Sequence, residues 1–134
     1  MKVGKKAPNF TYLNVFNVEH SLKEYNKQQV YLFFWDKKSL SSVDTLYLSK
    51  LNVEYGEKLK LITLNHGDPP KQVKISFYYD RIKWPVGYSN SEIAEKYFLE
   101  NVPRGYYLDK HRKLIFDKIT PKEVYELMNN GLDS

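Results

Sequence analysis

The run Val30-Tyr31-Leu32-Phe33-Phe34-Trp35 constrains the fold more than any other part of the chain. Six consecutive β-branched, aliphatic or aromatic residues leave no polar face, so a strand here must be covered on both sides, as a central strand of an α/β sheet is. Just beyond it, Ser41-Ser42-Val43-Asp44 has the form of a capping box. In such a box the Ser41 oxygen accepts from an early helix N–H while Asp44 reaches back to the cap. A buried strand that feeds a helix start sets N–H groups and the positive end of a helix dipole at the carboxyl edge of a sheet. That edge is where α/β proteins place their chemistry.

The flanking segments supply the rest of such a sheet. Residues 1–8 form a basic lead-in with Gly4 and Pro8, and residues 9–15 alternate as a short edge strand or hairpin arm with Phe10, Tyr12 and Leu13 inward. Ser21-Leu22-Lys23-Glu24 is a capping box for a short helix or turn that residues 26–29 end. After Ser41, the residues Val43, Leu46, Tyr47, Leu48, Leu51 and Tyr55 recur at helical spacing, with Gly56 as the stop. Residues 58–64 then give a second buried strand through Leu59, Leu61, Ile62 and Leu64, which makes a right-handed βαβ crossover with parallel strands.

Farther on, Asp68-Pro69-Pro70 caps and starts a helix carried by Val73, Ile75 or Ser76, and Phe77. Trp84-Pro85-Val86 is extended, and Ser89-Asn90-Ser91-Glu92 is a third capping box for a helix through Ile93, Ala94, Tyr97 and Phe98. Residues 106–109 and 113–117 are separated only by Lys110-His111-Arg112, too few residues for a crossover, so they form an antiparallel hairpin. Thr120-Pro121-Lys122-Glu123 opens a last helix with Val124, Leu127 and Met128 buried and Gly131 as terminator. The expected class is α/β, one domain over residues 1–134, with a mixed sheet flanked by helices.

Charge and composition narrow the function. The net charge of +5 comes from lysines scattered among glutamates rather than gathered on one stripe, which argues against nucleic acid. Twelve tyrosines and seven phenylalanines fall mostly on strand and helix faces, where packing explains them better than base stacking does. No apolar run approaches the roughly 20 residues of a membrane span, and no secretory leader is visible, so stable membrane insertion is not expected. His20, His66 and His111 stand in separate segments without ligand spacing, so neither a metal nor another cofactor is expected. No Gly-x-Ser-x-Gly elbow supports a serine hydrolase.

The order of elements, a parallel βαβ half followed by a connecting helix, a hairpin and a closing helix, resembles the thioredoxin fold. Gly4-Lys5-Lys6-Ala7-Pro8-Asn9-Phe10 is similar to the Gly-x-x-Ala-Pro-x-Phe opening of its redoxin branch. Ser21-Leu22 followed by the 30–35 run, then Trp84-Pro85-Val86, Ala94-Glu95-Lys96-Tyr97 and residues 102–110, resemble later landmarks of the TlpA and ResA type of thiol-disulfide oxidoreductase. In that family Phe-Trp is followed, after three residues, by Cys-x-x-Cys at the helix start. Here Phe34-Trp35-Asp36-Lys37-Lys38 leads to Ser39-Leu40-Ser41-Ser42.

The resemblance implies dithiol-disulfide exchange with a protein or peptide partner, with Ser39 and Ser42 in the cysteine positions. It also implies a cis Val102-Pro103 bond, and substrate contacts at Trp35, Leu40, Ser41, Val102 and Pro103. Trp35 and Trp84 could instead be core residues, and serines at a helix start also serve as caps. A serine hydroxyl is far less acidic than a thiol and forms no disulfide, so a chain with no cysteine is expected to be redox-inactive. Two origins fit: a deliberate Cys-to-Ser pair, or a relative that kept the fold and lost the reaction. A non-catalytic peptide-binding module is the second reading. A peroxiredoxin is the third, weakened by Trp35 and Ser42 where that branch has proline and cysteine. The resemblance suggests a place outside the cytoplasm; the chain complete as it stands would fit the cytoplasm.

Overall fold

The computed structural model describes residues 1–131. Its centre is a five-stranded sheet in the order β5-β4-β3-β6-β7. β3 (Gln29–Trp35) lies parallel to β4 (Leu59–Asn65) from Gln29 opposite Leu59 to Trp35 opposite Asn65. On its other side it runs antiparallel to β6 (Arg104–Leu108). β5 (Val86–Tyr88) extends the parallel half, and β7 (Leu114–Asp117) closes the hairpin across a bulge at Tyr107/Leu108. β1 (Thr11–Leu13) and β2 (Glu19–Ser21) pair separately, followed by a 3-10 turn at Leu22–Tyr25.

The apolar run of β3 is covered on both faces, as its lack of alternation requires. Tyr31, Phe33 and Trp35 pack with Leu48 and Leu51 of α1 (Ser42–Tyr55), Val73 of α2 (Pro70–Tyr79), and Val124 and Met128 of α4 (Pro121–Asn129). Val30, Leu32 and Phe34 face Phe10, Leu22 and Ile93, the last from α3 (Ser91–Lys96). The basic lead-in is not loose: Gly4 N–H donates to Leu114 O at 2.7 Å and Leu114 N–H to Lys5 O at 2.9 Å, so it zips onto the outer edge of β7.

Several local expectations change once neighbours are present. Leu13 points outward, because the strand alternates and Tyr12 takes the inward place. Val43 and Leu46 are exposed, since the buried stripe of α1 runs through Leu48 and Leu51, and Leu46 lies roughly half a turn from it. Only half of the box at Ser41 forms: Asp44 N–H donates to Ser41 Oγ at 3.0 Å. Asp68 does not cap α2. Its carboxylate accepts instead from Lys37 N–H and the Asn65 amide, both at 2.8 Å, and prolines at 69 and 70 leave fewer helix donors to satisfy. Asn90 rather than Ser89 caps α3, accepting from Ile93 N–H at 2.9 Å. That helix ends before Phe98, which is exposed with φ 49. The box at Thr120 forms in both directions.

The buried tyrosines tie elements together through their hydroxyls: Tyr31 donates to Ile119 O at 2.7 Å and Tyr97 to Pro8 O at 2.6 Å. Burial pushes the Tyr31 phenol well above its ordinary value of 10.0. Unfolded, Tyr31 ionises near that value; folded, it stays protonated. Its contribution to stability is therefore level below about pH 10 and falls above it by about 1.4 kcal/mol per pH unit. Urea unfolding between pH 9 and 11, read against Tyr31→Phe, should show the wild-type slope steeper by that amount.

Candidate functional site

The carboxyl end of β3 leads straight into a turn whose bonds are made by Asp36. The Asp36 carboxylate accepts from Ser39 N–H at 2.7 Å, and Leu40 N–H donates to Asp36 O at 3.2 Å. Ser39 Oγ lies 3.3 Å from both Asp36 N and Asp36 O. Asp68 holds the next residue, Lys37, by its backbone N–H. The loop is thus clamped from its own sequence and from the end of β4. Ser39 is half-buried, Leu40 packs against the core, and Ser41 and Ser42 are exposed at the helix start. Ser41 is the N-cap and Ser42 the first helical residue.

The turn entering β6 holds the second group of residues the sequence singled out. The Val102-Pro103 bond is cis. The Val102 side chain is half-buried and packs against the core, while Pro103 is exposed. Among the described residues the Val102 N–H and C=O make no hydrogen bond. Pro103 lines a cavity of about 300 Å³ with Phe33, Asp44, Gly105, Thr120 and Pro121. The first turn of α1 therefore faces the Val102-Pro103 turn across an open recess, closed at its base by β3 and at its side by the start of α4. At the rim, Arg104 is held by Asp117 at 2.7 Å.

Trp35 is 3% and Trp84 4% exposed, and their rings meet edge to face at 6.4 Å. They are core residues, and neither indole N–H has a hydrogen-bond acceptor among the described residues. Trp35 still lines a smaller cavity of about 150 Å³ with Lys37, Asn65 and Asp68. The histidines stay apart: His20 meets Glu24 at 3.3 Å, His66 meets Ser89 at 3.1 Å, and His111 is exposed. No group of three or more His, Cys, Asp or Glu that could hold a metal occurs among the described residues.

Asp36 and Asp68 belong to this edge although sequence reasoning gave neither a place in it; Asp44, expected there as half of a capping box, lines the recess. For Asp36 a signal exists: an Asp three residues before the N–H it accepts from has the spacing of an N-cap-type bond. The reach of Asp68 to Lys37, 31 residues away in sequence, leaves no such trace.

A central strand running into a clamped turn and a helix N-terminus, opposite a cis-proline turn, on this sheet order, defines the thioredoxin-like class. Solved structures agree on the fold. The thioredoxin domain of a thiol-disulfide oxidoreductase from Bacteroides vulgatus superposes with a TM-score of 0.83 at 18% identity, covering 97% of both chains. A thiol:disulfide interchange protein from Bacteroides sp. does so with a TM-score of 0.83 at 17% identity, covering 100% of this chain and 92% of that one.

By sequence, the thiol-disulfide oxidoreductase ResA of Bacillus thuringiensis subsp. konkukian is 28% identical over 118 residues, which cover 86% of this chain and 68% of the relative. That of Bacillus anthracis is 26% identical over 135 residues, covering 98% and 78%. No protein-family model matches the chain. The chain therefore has the thioredoxin fold, and over most of its length its sequence is similar to ResA-type thiol-disulfide oxidoreductases of the redoxin branch. Lacking any cysteine, it is redox-inactive as it stands. No helix among the described residues is long and apolar enough to cross a membrane.

Proposed function

We propose that this chain is a redox-silent ResA-like protein that holds an extended segment of a partner protein against Val102 and Pro103, with Ser39 and Ser42 in the places of the two cysteines. The observation that carries it is the unpaired Val102 backbone beside the cavity of about 300 Å³. A free N–H and C=O at a strand entrance offer strand addition, and the recess gives a partner side chain a place to settle. Asp44 lines the far side of that recess from the first turn of α1, and the bound segment extends from there toward Ser41, Leu40 and Trp35.

A single Ser39→Cys variant tests this, because with serine kept at 42 no second thiol releases a mixed disulfide. The probe is an extended peptide whose cysteine carries 5-thio-2-nitrobenzoate. The introduced thiolate attacks the peptide sulfur, the new S–S bond forms, and the nitrobenzoate thiolate leaves. The peptide should react at least about tenfold faster than the free symmetrical reagent, one good backbone bond being worth about 1 kcal/mol and the recess adding more. Adding Val102→Pro, which removes the N–H, should abolish that advantage, while Val102→Ala keeps it. Equal rates for peptide and free reagent would sink the proposal.

A further inference from the structure

Among the described residues, half of the twelve exposed large apolar side chains lie on two adjoining elements: Leu13, Phe16 and Val18 in the β1–β2 hairpin, and Ile75, Tyr78 and Tyr79 on α2. The elements touch. Phe16 meets Phe77 edge to face at 5.5 Å, and Leu13 and Asn17 line one cleft with Lys71 and Lys74. On α2, Lys71, Lys74, Ile75 and Tyr78 stand at i, i+3, i+4 and i+7, so they share a stripe turned away from buried Val73.

The composition of that stripe is unusual for a solvated face. Tyr79 is 82% and Tyr78 55% exposed, and residues 69–79 contain no acid. Lys71 and Lys74 have no ion-pair partner among the described residues. Glu19 lines the cleft they face, and Asp80, the next acid along the chain, lies 3.8 Å from Lys37. Clustered exposed apolar groups mark an interaction surface. The mixture decides what kind. Lysine is depleted at protein–protein interfaces, whereas tyrosines beside lysines suit a lipid boundary, where the phenol sits at headgroup level and the cation reaches phosphate.

We propose that α2 and the β1–β2 hairpin form a surface that adsorbs to an anionic lipid bilayer without spanning it. Phe16, Tyr78 and Tyr79 enter the headgroup region, and Lys71 and Lys74 meet the lipid phosphates. The proposal is independent of partner binding at Val102, which uses a different turn.

Co-sedimentation of the whole chain with vesicles of phosphatidylglycerol and phosphatidylcholine, against phosphatidylcholine alone, tests it. Binding should require the anionic lipid. Lys71→Glu with Lys74→Glu should weaken it by about tenfold or more, each cation near such a surface being worth about fivefold. Tyr78→Ser with Tyr79→Ser should also weaken it several-fold. Lys110→Glu with Lys113→Glu changes the net charge equally on the hairpin at the far edge of the sheet, and should leave most binding intact. Melting curves establish that each variant is folded. Absence of binding to anionic vesicles overturns the proposal, as does equal loss in the two charge-reversed pairs. Sedimentation equilibrium supplies a third adverse outcome: a dimer that the tyrosine variant breaks, with no vesicle binding.

Discussion

Replacing Ser39 and Ser42 together by cysteine is expected to turn an inactive chain into one that forms a reversible 39–42 disulfide and reduces a disulfide substrate. The two electrons come from the introduced dithiol: the thiolate at 39 attacks a substrate sulfur, and the thiol at 42 then displaces the second substrate thiol. Two local effects oppose each other at position 39. The N–H groups of Ser42 and Val43 make no hydrogen bond among the described residues, and with the helix dipole they favour an anion nearby. The Asp36 carboxylate, bonded to Ser39 N–H at 2.7 Å, disfavours one.

Adding Asp36→Ala to the double variant should therefore lower the thiol pKa by about one unit and raise the thiolate fraction at neutral pH about tenfold. Thiol alkylation rates against pH, and a glutathione titration of the pair, measure both quantities. Two introduced thiols that never pair, or that pair without turnover, would mean that Ser39 and Ser42 are caps and loop residues rather than cysteine equivalents.

Gly105→Ala should cost about 3 kcal/mol or more, at or beyond the usual upper end for overpacking a core. A Cβ there would lie 2.1 Å from Ile119 O, 2.5 Å from Tyr31 Oη and 2.8 Å from Tyr31 Cε1. Relief would have to come from backbone on one side and a wholly buried ring on the other, and moving that ring breaks the Tyr31–Ile119 hydrogen bond. Gly105 is needed for this close approach rather than for an unusual backbone angle. Urea unfolding monitored by tyrosine and tryptophan fluorescence reads the loss. Because Gly105 also lines the Pro103 cavity, the same variant should blunt peptide selectivity in any fraction that folds. A loss below about 1 kcal/mol would show that β6 can move aside.

Local signals carried most of the fold. The unbroken apolar run of β3 announced a strand covered on both faces, and the few residues between the last two strands excluded a crossover. Those inferences rest on bonds and exposures decided within a few residues. They weaken where a tertiary contact competes for the same group. Asp68 looked like a cap until the Lys37 N–H and the Asn65 amide took its carboxylate. Leu46 looked inward until α4 settled which stripe of α1 is buried.

The sequence by itself determined the class of this protein and its chemical limit. The order of strands and helices is written in periodicity and caps, and the absence of cysteine removes thiol chemistry whatever the fold does. Only the tertiary structure decided what the edge offers instead. The free backbone at Val102, the recess between α1 and α4, and the pairing of the β1–β2 hairpin with α2 bring together residues far apart in the chain. No local pattern encodes such meetings, because each depends on how separately stable elements pack against one sheet.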